Sequence, residues 1–585
     1  MSPDNLIEVS FEVANKVGGI HQVLKSKAGR MKDFYGENYV TIGFYDEENA
    51  ADEFVPRECP EYAEALEGLE KRGIKTKCGV WRVPGSPRCI LIDPSGLKKD
   101  IDEIKEGMYQ EYGVNSLNAG EDFDEPVKWS YAAGKVVDKL IDKFEGESVV
   151  HLHEWLSGPA IFEVDAPTVF TTHATVLGRT LSSSDFDLHG AVQDGEVDDK
   201  LASEYGVEAK HQLEKTAARE SDVFTTVSKT TAKEAEAVLD RKPDVVLPNG
   251  FNVEEFPSLE ELSYQHKKKK EELKEFLQAY FEPYYDIGLE NDPRIMFISG
   301  RYEFHNKGLD IFIDALAELN EQEGDDFFVF IFVPSDTSGV KSEVLENMSL
   351  YQELEDYVDS VMPQIRMNLL NSLTSDEEPG EQMKELVDET SGEVNSLMRS
   401  FHSKKNDNPP LCAFDLNYYP DEILDRLYEN GLRNREEDRV KVVFYPAYLS
   451  MGDKLLSMSY QDAIVACSAG IFPSYYEPWG YTPVETAANG ALSITTDMAG
   501  FGQFLLEKTE PGDRKGIKVL EREGVPDEEA AEDLADMLED IVSYSRTEIT
   551  ERKHNARRLA QLTSWRKLGR NYRKAHNKAI EKGDA

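Results

Sequence analysis

Short apolar runs recur along the chain, and most end in a polar or glycine-rich cluster. The first, Leu6-Ile7-Glu8-Val9-Ser10-Phe11, leads through Lys16-Val17-Gly18-Gly19 into Ile20–Met31, an order that reads as strand, glycine loop and helix. Further runs follow at Val149–Leu152, Thr168–Phe170, Val223–Thr226 and Val245–Leu247, with helical segments between several of them. Strands that alternate with helices predict a parallel sheet wound on both faces. Over Glu260–Leu289 the pattern turns charged and helical, and a new strand begins at Ile295. The second half repeats the plan: strand Ile295–Ile298, loop Gly300–Lys307, helix Gly308–Asn320, strand Phe327–Val333, then strands at Val440–Phe444, Ile471-Phe472 and Ser493–Thr495. Between them Glu343–Asn406 is polar and mostly helical, with Leu350, Leu354, Val358, Val361 and Ile365 on one face. It is too long for an ordinary crossover; such a stripe packs against another chain or back on its own domain.

The predicted fold class is therefore α/β, with two Rossmann-like domains at 1–285 and 286–545, the second carrying a helical insertion at 343–406. A basic helical segment, 546–585, completes the chain. In doubly wound sheets ligands bind beyond the C-terminal ends of the strands, so two such domains facing each other predict a cleft lined by the strand-end loops.

The 585 residues hold 112 acidic against 65 basic side chains, a formal charge of −47. That surface excludes nucleic acid as a partner and predicts a protein adapted to concentrated salt, where cations screen its self-repulsion. No stretch approaches the roughly 20 apolar residues that span a bilayer, and the N-terminus lacks a basic-then-apolar signal, so no membrane association and a cytoplasmic location are expected. The cysteines, Cys59, Cys78, Cys89, Cys412 and Cys467, are scattered and imply neither a disulfide framework nor a zinc site. Residues 546–585 depart from the acidic trend at +8.

Candidate chemistry gathers at predicted strand ends. Gly18-Gly19 before a helix lets backbone N–H groups approach a phosphate, with Lys16 adding charge; the same pair also makes an ordinary tight turn. Arg301 and Lys307 flank a loop directly after a strand, where two cations can hold a pyrophosphate or stand solvated. In Phe472–Glu485, Thr482-Pro483-Val484-Glu485 matches a capping box, which gives Glu485 a structural reason to exist. Glu477 has none, and it stands among aromatic residues of the kind that stack on sugar rings. His151, His153 and His173 lie near strand ends of the first domain; no third ligand is positioned beside them, so no metal is expected.

Taken together, Phe11–Gly19, His151-Leu152-His153-Glu154-Trp155, Thr171–Thr175, Val223–Ser228, Pro248-Asn249-Gly250, Gly300–Phe304 with Asn306-Lys307-Gly308, and Tyr475–Glu485 resemble the eukaryotic-type glycogen synthases, in order and spacing, from about residue 6 to residue 575. The resemblance implies a GT-B glycosyltransferase fold, with an acceptor-side first domain, a nucleotide-sugar second domain and a C-terminal helix that crosses back to the first. It implies a retaining transfer of glucose from UDP-glucose to the non-reducing end of an α-1,4-glucan, without metal or pyridoxal phosphate. It puts Lys16, Gly18, Gly19, Arg301 and Lys307 on the phosphates, Tyr448 and Tyr460 near the uracil, Glu485 on the ribose, and Glu477, His173 and Arg179 around the glucose, with Tyr481 at the same site. It also implies a homo-oligomer, a tetramer, built through the inserted helices.

The family's phosphorylated tails are not matched, so control through them is expected to be absent. Its arginine-rich sensing helix is matched in part by Arg546, Arg552, Lys553, Arg557 and Arg558, interrupted by Glu548, Ile549, Glu551 and Asn555; weak or absent activation by glucose 6-phosphate is expected. An ADP-glucose-dependent synthase, a related transferase with another acceptor, and a non-catalytic glucan-binding protein remain the alternatives.

Overall fold

The computed structural model describes residues 2–184, 186–289, 292–374, 396, 398–405 and 407–583. Strands β1 (Asn5–Val9), β2 (Tyr39–Phe44), β3 (Phe54–Pro56), β4 (Lys75–Trp81), β5 (Arg88–Asp93), β6 (Ser148–His153), β7 (Thr168–Thr172), β8 (Val223–Thr226) and β9 (Val245–Val246) form one sheet in the order β3-β4-β5-β2-β1-β6-β7-β8-β9. From β5 to β9 it is parallel, and β3 and β4 add an antiparallel edge. Every residue of β1, β6, β7 and β8 is buried, as expected where helices cover both faces. The chain leaves β1 toward β2 and returns at β6 on its other side, so the switch in strand order falls between β1 and β6.

The second sheet is parallel throughout: β10 (Arg294–Ser299), β11 (Phe327–Phe332), β14 (Val440–Phe444), β15 (Ala469–Ile471), β16 (Leu492–Thr496) and β17 (Ile517–Leu520), in the order β14-β11-β10-β15-β16-β17. Its switch lies between β10 and β15. A small antiparallel pair, β12 (Thr337–Val340) and β13 (Phe414–Leu416), stands apart.

The helix Leu259–Phe281 lies in the stretch read as a boundary, yet its Leu273, Phe276, Leu277, Tyr280 and Phe281 belong to the second core. The C-terminal half of this helix therefore packs with the second sheet. Helix Ser342–Thr374 forms the first part of the insertion; residues 375–395, 397 and 406 lie outside the described residues. Along it Val358, Met362, Met367 and Leu370 are exposed.

The basic segment is not one continuous helix. Arg546–Ala560 packs Ala556, Leu559 and Ala560 beside Val484 and Phe501, a 3-10 turn follows at Gln561–Thr563, and Trp565–Gly583 buries Trp565, Tyr572, Ala575, Ala579 and Ile580 against the first sheet. Trp565 Nε1 donates to Ser26 Oγ at 3.0 Å.

Cys59 and Cys78 are joined by a disulfide, with Cα atoms 6.2 Å apart, against the expectation of none. The antiparallel pairing of β3 with β4 brings them together: Arg57 N donates to Cys78 O at 3.0 Å. Cys89, Cys412 and Cys467 are buried and free. Among the described residues no helix is long and apolar enough to cross a membrane.

Candidate active site

Beyond β1 the glycine loop is shaped by Glu12, a buried carboxylate that accepts N–H groups from Gly18 (2.9 Å) and His21 (2.8 Å). Burial raises the Glu12 carboxyl above its ordinary value, against those two hydrogen bonds and the nearby charges of His21 and Arg179. A Cβ on Gly18 would stand 3.0 Å from Glu12 Oε1, so a side chain there would press on the carboxylate that orders the loop. Gly19 begins the helix Gly19–Tyr35, and nothing lies within 4 Å of where its Cβ would be. The positive end of that helix is thus open toward the cleft.

On the facing domain, the loops after β10 and β15 flank the second switch point. Gly308, at φ 68°, lets them pack: a Cβ there would lie 2.1 Å from Pro473 O. The contact places Lys307 in an ion pair with Glu477, both side chains mostly shielded. Arg301 stays 71% exposed and, among the described residues, pairs only with neighbouring Glu303, at 2.9 Å. The loop after β15 also reaches across the cleft: Tyr475 OH donates to Asp187 Oδ1 (2.9 Å) and Tyr476 OH to Glu234 Oε1 (3.2 Å).

The loop after β7 carries His173 and, one turn into the helix Val176–Ser182, Arg179. Two buried glutamates hold it. Glu154 Oε1 accepts the N–H of His173 (2.8 Å) and of Ala174 (3.2 Å), while Glu234 accepts both the N–H (3.0 Å) and the hydroxyl (2.7 Å) of Thr175. Burial pushes the Glu154 carboxyl up to about 7, even with the Arg179 guanidinium opposing the shift. The Arg179 side chain is open to the cleft and donates no hydrogen bond to a described residue.

These loops enclose a cavity of about 600 Å³ that brings together Lys16, Gly18, Gly19, His173, Arg179, Arg301, Lys307, Glu477 and Tyr481. Tyr460 lies behind its wall, hydrogen-bonded through its hydroxyl to the cavity-lining Ser299 at 2.7 Å. Glu485 lines an adjoining cavity of about 380 Å³ with Phe251, Phe256 and Gln461. Its expected capping box does not form: the helix starts at Tyr481, and Gly480, at φ 97°, is the N-cap without a side-chain bond. Freed of that role, Glu485 is pushed by burial to about 7. Tyr448 is 84% exposed and lines neither cavity.

Sequence reasoning assigned no role to Asn249 and Asn306, both almost fully buried in the cavity wall. Their Oδ1 atoms have no hydrogen-bond partner among the described residues. The only sequence signal was their position beside a glycine or lysine at a strand end.

The third group near His151 and His153, absent from the sequence reading, is Glu8, with Oε1 2.8 Å from His153 Nε2 and 3.9 Å from His151 Nδ1. The buried ammonium of Lys27 pairs with the same carboxylate. A divalent ion would have to share that space with Lys27, so the set does not fit one.

The five basic residues of the C-terminal segment separate. Arg546 and Lys553 line a cavity of about 550 Å³ with His266, Lys270 and Arg294. Burial lowers the Lys553 ammonium to about 7, helped by the charge of Lys270. Arg552 instead sits on the Tyr544 ring (3.8 Å), Arg557 donates to Phe256 O (3.3 Å), and Arg558 donates to Asp513 O (3.4 Å). None of those three lines the cavity.

The family model described as glycogen synthase matches residues 8–583. The chain belongs to the glycogen synthase family. Among its relatives, the glycogen [starch] synthase of Neurospora crassa is 34% identical over 99% of this chain and 84% of that protein. The liver glycogen [starch] synthase of Rattus norvegicus is 32% identical over 99% and 83%. Among solved structures, the catalytic domain of starch synthase IV from Arabidopsis thaliana, bound to ADP and acarbose, superposes with a TM-score of 0.53 over 99% of each chain at 13% identity. That likeness fixes the GT-B glycosyltransferase fold.

Proposed function

We propose that this member of the glycogen synthase family transfers glucose from UDP-glucose to the non-reducing end of an α-1,4-glucan, with retention of configuration. The observation that carries the reading is the convergence, at the switch points of two facing parallel sheets, of a glycine loop, the cations Arg301 and Lys307, and the carboxylate Glu477. The helix end at Gly19, Lys16, Arg301 and Lys307 hold the diphosphate, and Tyr460 and Glu485 receive the nucleoside side. As the bond between the anomeric carbon and the diphosphate breaks, negative charge grows on the leaving oxygen and the two cations stabilise it. Positive charge grows on the sugar, where Glu477 stands opposite. A glucan hydroxyl attacks from the leaving-group side, and its proton passes to the departing diphosphate. His173, Arg179, Asn249 and Asn306 hold the sugar hydroxyls, and closure of the cleft excludes water.

Three further elements belong to the same reading. The exposed apolar residues of helix Ser342–Thr374 support a homo-oligomeric, tetrameric assembly. The cationic cavity at Lys270 and Lys553 is the place for a sugar phosphate. The acidic surface supports a halophilic source and a cytoplasmic setting. Incubation with a glycogen primer and either UDP-glucose or ADP-glucose, with the released nucleotide quantified, tests the central claim. Release of UDP with primer elongation is expected. Release of ADP alone would transfer the assignment to an ADP-glucose enzyme, and no release with either donor would leave a glucan-binding protein.

A further inference from the structure

Beneath the cleft the first domain holds a line of polar groups that the scheme above does not use. Lys27, on the helix Gly19–Tyr35, is fully buried and ion-paired with Glu8 of β1. Tyr39, at the start of β2, donates its hydroxyl to Glu8 Oε2 at 2.5 Å. Glu8 Oε1 lies 2.8 Å from His153 Nε2, and His153 Nδ1 lies 3.0 Å from His173 Nε2. Tyr572 of the C-terminal helix closes the far end, its ring 4.4 Å from Lys27 Nζ. The line therefore runs unbroken from a sealed ion pair to a side chain in the cavity wall.

The proton positions along it follow from the end that is fixed. Lys27 and the Tyr39 hydroxyl both donate to Glu8; burial raises its carboxyl, but the Lys27 charge and the hydrogen bond with His153 outweigh this and hold it far below the ordinary range. An ionised carboxylate only accepts, so His153 carries its proton on Nε2. Burial, with Lys27 beside it, lowers the His153 imidazolium to about 4, so the ring is neutral near pH 7 and its Nδ1 is an acceptor. His173 must then donate from Nε2. Burial likewise holds the His173 ring neutral, which leaves its Nδ1 as a bare lone pair. No described residue bonds that atom, and His173 lines the cavity.

We propose that Glu8 and His153 are positioning residues that lock His173 in the tautomer with its Nε2 proton turned inward and its Nδ1 lone pair offered to a hydroxyl of the bound hexose. This rests on reading the cavity as the donor-sugar site. The ion pair sets the tautomer from a distance, so a sugar hydroxyl meets an acceptor that needs no rearrangement when it arrives.

The test has two arms. Two-bond ¹H–¹⁵N correlation spectra of histidine-labelled protein, with His173 assigned by its loss in His173→Asn, report the tautomer without any substrate. Wild type is expected to show His173 protonated on Nε2 alone; protonation on Nδ1 overturns the proposal. The paired variant Glu8→Leu/Lys27→Met removes acceptor and cation together, so no buried charge is stranded. It is expected to show both tautomers and to lose roughly ten- to a hundredfold in kcat, with UDP affinity within about twofold of wild type. Glu8→Gln/Lys27→Met, which keeps an oxygen acceptor, should restore the tautomer and most of the lost turnover. A Leu/Met variant with the wild-type tautomer and kcat, or a Gln/Met variant no better than it, also overturns the proposal. If the Leu/Met variant fails to fold, the wild-type spectrum still decides. A wild type without turnover would refute the functional reading and leave the tautomer result standing.

Discussion

Replacing Glu477 by Gln separates its chemical role from its structural one. The backbone carbonyl of Glu477 accepts Gly500 N–H at 3.0 Å, and Gln retains this. The side chain's described partner is Lys307, and the two are 21% and 16% exposed. Shielded to that degree but bordering the cavity, the pair contributes more than an exposed one, at about 1 kcal/mol, and up to about 3 kcal/mol, which over a chain this long lowers the melting temperature by no more than about 5 °C. Turnover should fall steeply. Losing a carboxylate aligned with charge that develops only in the transition state costs on the order of a hundredfold, equivalent to about 2.7 kcal/mol. The ion pair between Lys307 and Glu477 adds a sharper expectation. Lys307 is held by Glu477 before ligand arrives, so a diphosphate must compete for it; Gln releases the ammonium, and UDP should bind the variant as tightly as wild type or several times more tightly. Initial rates with saturating primer, titration calorimetry with UDP and a thermal melt give the three quantities. Near-normal turnover, or UDP affinity lost in step with turnover, would refute the reasoning.

Arg301→Ala and Lys307→Ala should each cut turnover more than glucan affinity, measured by primer co-sedimentation; parallel losses would assign them an acceptor role. Because burial raises Glu485 to about 7, the fold holds a proton that the unfolded chain releases above about 4.3. Stability should therefore fall as pH rises between those values, and Glu485→Gln should flatten that part of the curve; equal slopes in thermal melts from pH 5 to 8 would contradict it. The surface charge should make the melting temperature rise steeply with salt, since the screening length shrinks from roughly 30 Å at 0.01 M to 3 Å at 1 M; a salt-indifferent melt would remove the halophile reading. Glucose 6-phosphate should activate weakly or not at all, and Lys270→Ala/Lys553→Met should abolish any activation that Arg557→Ala/Arg558→Ala leaves intact, because only the first pair lines the cavity. Strong activation lost in the arginine variant would restore the arginines as the sensor.

The central strands were legible because both faces are buried, so β1, β6, β8, β10, β11 and β14 stand out as short, mostly apolar runs closed by a polar cluster. β2, just as buried, was not read as a strand. It fails at β4, where Lys75-Thr76-Lys77-Cys78 puts charged side chains outward on an edge and buried positions begin only at Gly79. The disulfide was missed for the same reason, since it depends on that edge pairing. In the site, Arg301, Lys307 and Glu477 were legible from strand-end position and residue type. Glu485 was misread because Thr-Pro-Val-Glu fits a capping box in sequence, while the left-handed Gly480 caps the helix two residues earlier. Nothing local marks Glu8 as a partner of His153, 145 residues away. Nor does anything local show that Asn249 and Asn306 present unpaired oxygens, a property that appears only once burial is known.

The distribution of charge also bears on how the cleft works. A chain of net charge −47 repels a nucleotide anion at long range, and only strong screening removes that barrier. Attraction then comes from groups in contact with the ligand, and these are divided between the domains: Lys16 and the helix end at Gly19 on one side, Arg301 and Lys307 on the other, with Arg179 deeper in the first. Neither set alone balances a diphosphate, and Lys307 is neutralised by Glu477 until a phosphate displaces it. A nucleotide sugar that touches both sets gains more than one that touches either, so its differential affinity favours the arrangement in which the domains stand closest. On the proposed reading, the same displacement would free Glu477 from Lys307 as the phosphates bind, so that phosphate binding and release of the carboxylate are coupled.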